Sequence, residues 1–169
     1  MIFHNLELRI DNFIVMKKVL IGLDYNPNSE KVVQSGYEIA KKLGAEVCLI
    51  HVLADVSYYG VNYPSFMGYE GYNEMTVDLD VISELREVAK QFVETAANHL
   101  NDPSVSTHLA EGPTSTSILE YADSWKADMI VLGTHSHSVL EKILMGTTAS
   151  HILEKTKIPV YFIPIFEDK

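Results

Sequence analysis

Two glycine-containing segments near the C-terminal end of the chain have the residue types of an anion-binding site. The first, 129–136, has the sequence MIVLGTHS; its four leading apolar residues are typical of a strand buried on both faces. We expect this strand to end at Gly133, where the missing Cβ would allow a sharp turn and close approach of a ligand. The second segment, Gly146-Thr147-Thr148, opens an apolar helical pattern. Because a helix N-terminus offers free N–H groups and partial positive charge, the two segments predict an anion site, specifically for nucleotide phosphate.

The elements that must position this site alternate along the chain. Strand patterns are expected at 19–24, 46–53, 105–110, 129–132 and 158–164, with helical patterns between them. The order β-α-β-α-β-α-β-α-β predicts a doubly wound parallel sheet with helices on both faces, because right-handed crossovers must cover it. Ligands bind beyond the carboxyl ends of such strands. Asp24, Val52 and Gly133 fall at three of these ends, so a single site is expected there.

Turn residues set the limits of these elements. Asn26 or Asn28 is expected to cap the first helix, and Gly44 to end it. The two prolines of the last strand, Pro159 and Pro164, lack N–H donors, so we expect this strand at an edge of the sheet.

Composition restricts the class of protein. A chain of 169 residues suits one domain, and its net charge of −10 makes it a poor candidate for binding nucleic acid or an anionic membrane. The single cysteine, Cys48, lies in an apolar run and is expected to be buried and inert. No run approaches the roughly 18 apolar residues of a membrane span, and charged residues interrupt the N-terminus, unlike a signal peptide. These features predict a cytoplasmic protein.

For two segments, the sequence is consistent with more than one role. Residues 1–16 form an N-terminal extension whose alternating pattern at 6–11 predicts either an added edge or swapped strand or a segment without a role. The connection 54–75 contains five tyrosines and three glycines. Long loops are often functional, so it is either a lid over a ligand or a packed surface loop.

From Lys17 to Ile165 the pattern resembles the universal stress protein family. The nucleotide signature of that family is glycine, two residues, glycine, nine residues, glycine, then Ser or Thr. Residues 133–136 occupy the first four positions, 137–145 the nine, and Gly146-Thr147 the last two, with Ser136 in place of the second glycine. The strand 19–24, the His51-Val52 strand end and the closing strand 158–160 also match.

The resemblance implies one domain at 17–169, an adenine-nucleotide α-hydrolase-like α/β fold with strand order 3-2-1-4-5. It also implies ATP, with Mg²⁺ or Mn²⁺ held by its phosphates, between the loops after the first and fourth strands. By position, Asp24 would contact the adenosine moiety and the Val52 backbone the adenine edge. Leu132, Gly133 and Ser136 would line the ribose and phosphates. The phosphates would be cradled by Gly146, Thr147 and Thr148.

One branch of the family lacks the motif and does not bind ATP. Ser136 bears on this choice: its hydroxyl can donate to a phosphate, but a serine disfavours positive φ. We therefore keep two hypotheses, an ATP-binding regulatory stress-response protein and a homodimeric interaction module without nucleotide. In both, the resemblance implies self-pairing through the edge strand Val160–Phe166. A third, an enzyme that adenylylates a substrate, ranks below them because its signatures are missing from the sequence.

Each candidate residue also has a structural explanation. Asp24 could be simply a turn residue, and Thr147 and Thr148 could be simply helix N-caps. His51 is expected to be a hydrogen-bonded strand residue. His135 and His137 lack nearby metal-ligating partners and are expected to be solvated, so no metal site is predicted. Without a Walker lysine or a nucleophile elbow, no catalytic residue is predicted, and ATP hydrolysis would be slow at most.

Overall fold

The computed structural model describes residues 16–54, 79–136 and 146–166, with the side chains of 79–81, 135, 136 and 166 left aside. The strands in these ranges are β1 (Lys18–Gly22), β2 (Glu46–Leu53), β3 (Ser106–Glu111), β4 (Met129–Ser136) and β5 (Val160–Phe166). The helices are α1 (Ser29–Leu43), α2 (Leu79–His99), α3 (Thr114–Trp125) and α4 (Thr147–Lys155). The alternation predicted from the sequence is confirmed.

All five strands are parallel, in the order β3-β2-β1-β4-β5. This confirms the strand order that the resemblance implied. β1 is central: Val19 pairs with Val47 of β2 on one side and Met129 of β4 on the other. The chain winds outward from β1 to β3, then restarts beside β1 at β4. The carboxyl ends of β1 and β4 therefore flank the point where the winding direction switches, where such sheets bind ligands.

The core has two layers because side chains along each strand alternate between the sheet faces. On one face, Val19 and Ile21 belong to a buried cluster with residues of α1 and α2. On the other, Leu20 belongs to a cluster with residues of α3 and α4. Cys48 lies in the second cluster with no exposed surface, as expected, and its Sγ is 3.5 Å from the Tyr121 hydroxyl. The prediction of helices on both faces is confirmed.

The ends of α1 confirm one expectation and correct another. Gly44 ends the helix with φ of 66°, the left-handed conformation that glycine adopts without strain. Neither asparagine caps the other end. Asn28 occupies the N-cap position without a side-chain cap, while Oδ1 of Asn26 accepts the Asn28 N–H at 2.8 Å in a local turn. The Asn26 side chain is thus used before the helix begins.

Gly133 does not end its strand, contrary to the sequence prediction. β4 continues to Ser136 because β5 pairs with it along the whole stretch, with Gly133 opposite Ile163. A Cβ on Gly133 would lie 2.6 Å from Cδ1 of Ile165 and 2.8 Å from Cγ2 of Val32. The glycine is therefore required by close packing of β4 against β5 and α1, and not by a turn.

Among the described strands, β5 pairs with β4 alone, so the predicted edge position is confirmed. In the described ranges, no helix combines the length and the apolar character that crossing a bilayer would require. Predictions for residues 1–15, the tyrosine-rich connection and His137 lie outside the described residues.

Candidate functional site at the carboxyl edge of the sheet

A cavity of about 430 Å³ opens at the carboxyl ends of β1, β2 and β4. This volume falls within the roughly 300–1,000 Å³ of small-molecule sites. The N-terminal ends of α1, α3 and α4 face the same cavity, through Ser29, Thr114 and Thr147. Its apolar walls come from both core layers and include Val32, Ile50, Ile118, Leu132 and Ile165.

The structure brings together seven of the eight residues that the sequence placed in the site. They line this one cavity: Asp24, Val52, Leu132, Gly133, Gly146, Thr147 and Thr148. The eighth, Ser136, is the last residue of β4 and pairs with Phe166 of β5; its side chain lies outside the described part of the structure. Because its backbone is that of a strand, a serine fits this position without strain.

Asp24 lies at the β1 end of the cavity in a loop built by two successive side-chain turns. Its Oδ1 accepts the Asn26 N–H at 3.0 Å, and Asn26 Oδ1 in turn accepts the Asn28 N–H. The Ser29 hydroxyl lies 2.6 Å from Asp24 Oδ1 and 2.8 Å from the Asp24 carbonyl oxygen. Asp24 is therefore a turn residue, which was the structural alternative considered from the sequence. Its exposed carboxylate also contributes negative charge to the cavity wall.

The α4 end of the cavity has the opposite electrostatic character. Gly146 is the N-cap residue and has no side chain to cap the helix, and the first turn of α4 contains no acidic residue. Thr147 and Thr148 are therefore not N-caps. The first N–H groups of a helix have no acceptor within the helix, so they present donors and partial positive charge. A Cβ added to Gly146 would meet no atom of the described residues within 4 Å, so these residues leave space beside the helix donors.

His51 lines the cavity although the sequence did not place it in the site. Its Nδ1 lies 2.9 Å from the Leu23 carbonyl oxygen, so Nδ1 carries the proton and donates it. The imidazole is flanked by the rings of Tyr25 and Phe92, at centroid distances of 4.6 and 5.2 Å. The prediction of a hydrogen-bonded strand residue is confirmed. Its Nε2 is buried and has no hydrogen-bond partner among the residues that the structure describes.

Among the described lining residues, four with polar side chains were not placed in the site by the sequence analysis: Tyr25, Ser29, His51 and Thr114. Ser29 and Thr114 are first residues of helices that follow strand ends, and that position could have identified them. His51 gave no such signal, because its contact with Leu23 depends on the pairing of β1 with β2.

The polar groups of the cavity lining differ between its two ends. Asp24 is the one carboxylate among the described residues that line the cavity. Across the described ranges, no group of three His, Cys, Asp or Glu side chains is placed to hold a metal ion. The cavity thus offers an acceptor at one end, apolar walls between, and helix donors at the other end.

Comparison with known proteins identifies the family. The model of the universal stress protein family matches residues 16–164. Universal stress protein A homolog 2 of Coxiella burnetii is 31% identical over 157 residues, which are 92% of this chain and 98% of the relative.

Solved structures share the fold. That of MJ0577, a protein of Methanocaldococcus jannaschii, has a TM-score of 0.67 at 20% identity and covers 92% of this chain and 100% of its own. A universal stress protein from Archaeoglobus fulgidus in complex with dAMP has a TM-score of 0.55 at 21% identity and covers 89% and 99%. Sequence, family model and fold agree, and the chain belongs to the universal stress protein family.

Proposed function

We propose that this protein binds ATP or a closely related adenine nucleotide in the cavity, and that it acts as a regulatory stress-response protein. The observation that carries the proposal is the opposite electrostatic character of the two cavity ends. Asp24 provides a carboxylate at one end, and the N-terminus of α4, which begins after a glycine N-cap, provides N–H donors at the other.

This polarity orients the nucleotide. A carboxylate repels phosphate and accepts hydrogen bonds from ribose hydroxyls or an exocyclic amine, so the nucleoside belongs at the Asp24 and Val52 end. The phosphates belong beside Gly146, Thr147 and Thr148, where a helix N-terminus stabilises negative charge. The apolar walls between these ends suit the faces of a purine. The dAMP bound to the Archaeoglobus fulgidus protein supports an adenine nucleotide as the ligand class.

A divalent cation would be held mainly by the phosphates. Mg²⁺ commonly binds through substrate phosphates, one or two carboxylates and water. Among the described lining residues, one carboxylate, Asp24, could contribute to such a site, and it lies at the end away from α4. An ATP ligand also implies that the protein is cytoplasmic. The net charge of −10 disfavours nucleic acid and anionic membranes as partners.

The test begins with nucleotide released by denaturing the purified protein, identified by mass spectrometry, followed by calorimetric titration of ATP with and without Mg²⁺. We expect saturable binding by the wild type and its loss in Gly146→Val, because the added side chain would fill the space beside the helix donors. Gly146→Ser, with a smaller side chain and a good N-cap residue, is the matched variant and should bind more weakly than wild type. Wild-type binding that survives Gly146→Val would contradict the placement of the phosphates.

A homodimeric module without nucleotide is the second candidate. The observation that favours it is the edge strand β5, whose Tyr161 is 45% exposed. An unpaired edge strand is a template for pairing with another chain, here a second copy. If the wild type binds neither ATP nor dAMP at millimolar concentration but is a dimer by light scattering, this candidate replaces the first.

A further inference from the structure

The Ser29 hydroxyl ties the first turn of α1 to the acid at the end of β1. Ser29 is the first residue of α1 and is only 6% exposed. Its Oγ lies 2.6 Å from Asp24 Oδ1, the distance of a hydroxyl donating to an ionised carboxylate. The Asp24 carbonyl oxygen lies 2.8 Å from the same Oγ. The hydroxyl has one proton, and the shorter distance assigns it to Oδ1, so a buried group holds the side chain of an exposed residue.

This contact restricts the orientation of the carboxylate. An exposed aspartate ordinarily samples several rotamers, and a ligand that needs one of them must compensate for the lost freedom. Here Oδ1 is fixed from two directions, by the Ser29 hydroxyl and by the Asn26 N–H. Of these donors, only the hydroxyl can be removed by mutation without altering the backbone.

We propose that Ser29 is a positioning residue for the nucleoside end of the ligand. Its hydroxyl holds the Asp24 carboxylate in the orientation in which it accepts hydrogen bonds from adenosine. This inference rests on the proposed function and deepens it, because it assigns separate parts of the nucleotide affinity to the two ends of the cavity. Ser29 acts on the nucleoside end, while the phosphate end depends on α4.

Three probes separate the two ends: ATP, adenosine and inorganic tripolyphosphate, each titrated calorimetrically. Ser29→Ala should weaken ATP and adenosine by the same factor, about tenfold, as expected for one hydrogen bond to a charged group. Tripolyphosphate affinity should not change. Ser29→Thr keeps the hydroxyl and should restore most of the adenosine affinity. Urea unfolding of each variant verifies that the protein is folded.

Ser117→Ala is the matched control. Ser117 is also a buried serine in the N-terminal half of its helix, and its hydroxyl also bonds to the carbonyl oxygen at the end of the preceding strand, that of Glu111 at 3.1 Å. It does not line the cavity and bonds to no acidic side chain among the described residues. The affinity of this variant for all three probes should equal that of the wild type.

A double-mutant cycle completes the test. In an Asp24→Ala background, Ser29→Ala should have no further effect on adenosine, because the group that it positions is missing. An equal loss with and without Asp24, or a parallel loss of tripolyphosphate affinity, would show a general structural role and overturn the inference. Wild-type binding that Ser29→Ala leaves unchanged would overturn this inference alone. A wild type that binds none of the three probes would overturn the proposed function as well.

Discussion

Gly133 and Ile165 approach so closely across the β4–β5 pair that a Cβ on Gly133 would lie 2.6 Å from Cδ1 of Ile165. The same Cβ would lie 2.8 Å from Cγ2 of Val32, on the side of α1. Both neighbours are buried and β-branched, so neither can turn aside freely. We expect Gly133→Ala to destabilise the protein by about 1–3 kcal/mol, as overpacking of a core does.

Urea unfolding measures this effect, and Gly146→Ala is the control. A Cβ on Gly146 meets nothing within 4 Å, so the control should lose no more than the roughly 1 kcal/mol typical of an N-cap change. Equal stability of Gly133→Ala and wild type would show that the close packing at β4 is absent in solution.

The hydrogen bonds to the Asp102 carboxylate predict that the stability of the protein depends on pH. Hydrogen bonds from Ser104, then Tyr37 and Lys41, hold the pKa of the Asp102 carboxyl far below its ordinary 3.8. A carboxyl with a lowered folded-state pKa stabilises the fold above its unfolded pKa, and that contribution is lost as the pH falls below it. Asp102→Asn should therefore be less stable than wild type at neutral pH, and the difference should shrink as the pH falls below about 4.

Urea unfolding at a series of pH values follows this difference. The same substitution at Asp123, whose side chain is 86% exposed, is the control and should change stability little at neutral pH. If the difference between wild type and Asp102→Asn were constant down to acid pH, the hydrogen-bonded carboxylate would not be its cause.

Arg86 and Glu111 join α2 to the end of β3 through a bidentate ion pair. Nε and one terminal nitrogen of Arg86 donate to the two oxygens of Glu111 at 2.6 and 2.9 Å, and this bonding lowers the pKa of the Glu111 carboxyl. Both side chains are about half exposed, so solvent screens the pair. A double-mutant cycle with alanine should therefore give only a small coupling free energy, as exposed ion pairs do.

High salt should reduce this coupling, because exposed ion pairs are screened. Arg86→Lys should lose much of it, since an ammonium cannot donate in the same forked geometry. Coupling that is retained in the lysine variant at high salt would contradict a bidentate, solvent-screened pair.

The fold and most of the cavity could be predicted because their signals are local. Apolar periodicity defined each strand, and strand ends in a parallel sheet gather at one edge, which placed Asp24 and Val52 near Gly133. The role of Gly133 could not be predicted, because a glycine after four apolar residues fits both a turn and close packing. Only the pairing with β5 decides between them. The contacts of Ser29 and His51 depended equally on how the loop and strands meet in space.

The edge strand β5 leads to the last prediction, that two copies of this chain pair through it. Tyr161 is exposed on this strand, and a charge introduced on an edge strand opposes pairing with a second chain. We expect the wild type to be a dimer by light scattering and Tyr161→Lys to be a monomer with little change in unfolding free energy. Val88→Lys is the control, because Val88 is also exposed but lies on α2, which packs on β2 and β3 at the opposite side of the sheet. A monomeric wild type, or a dimer that Tyr161→Lys leaves intact, would show that β5 does not form the interface.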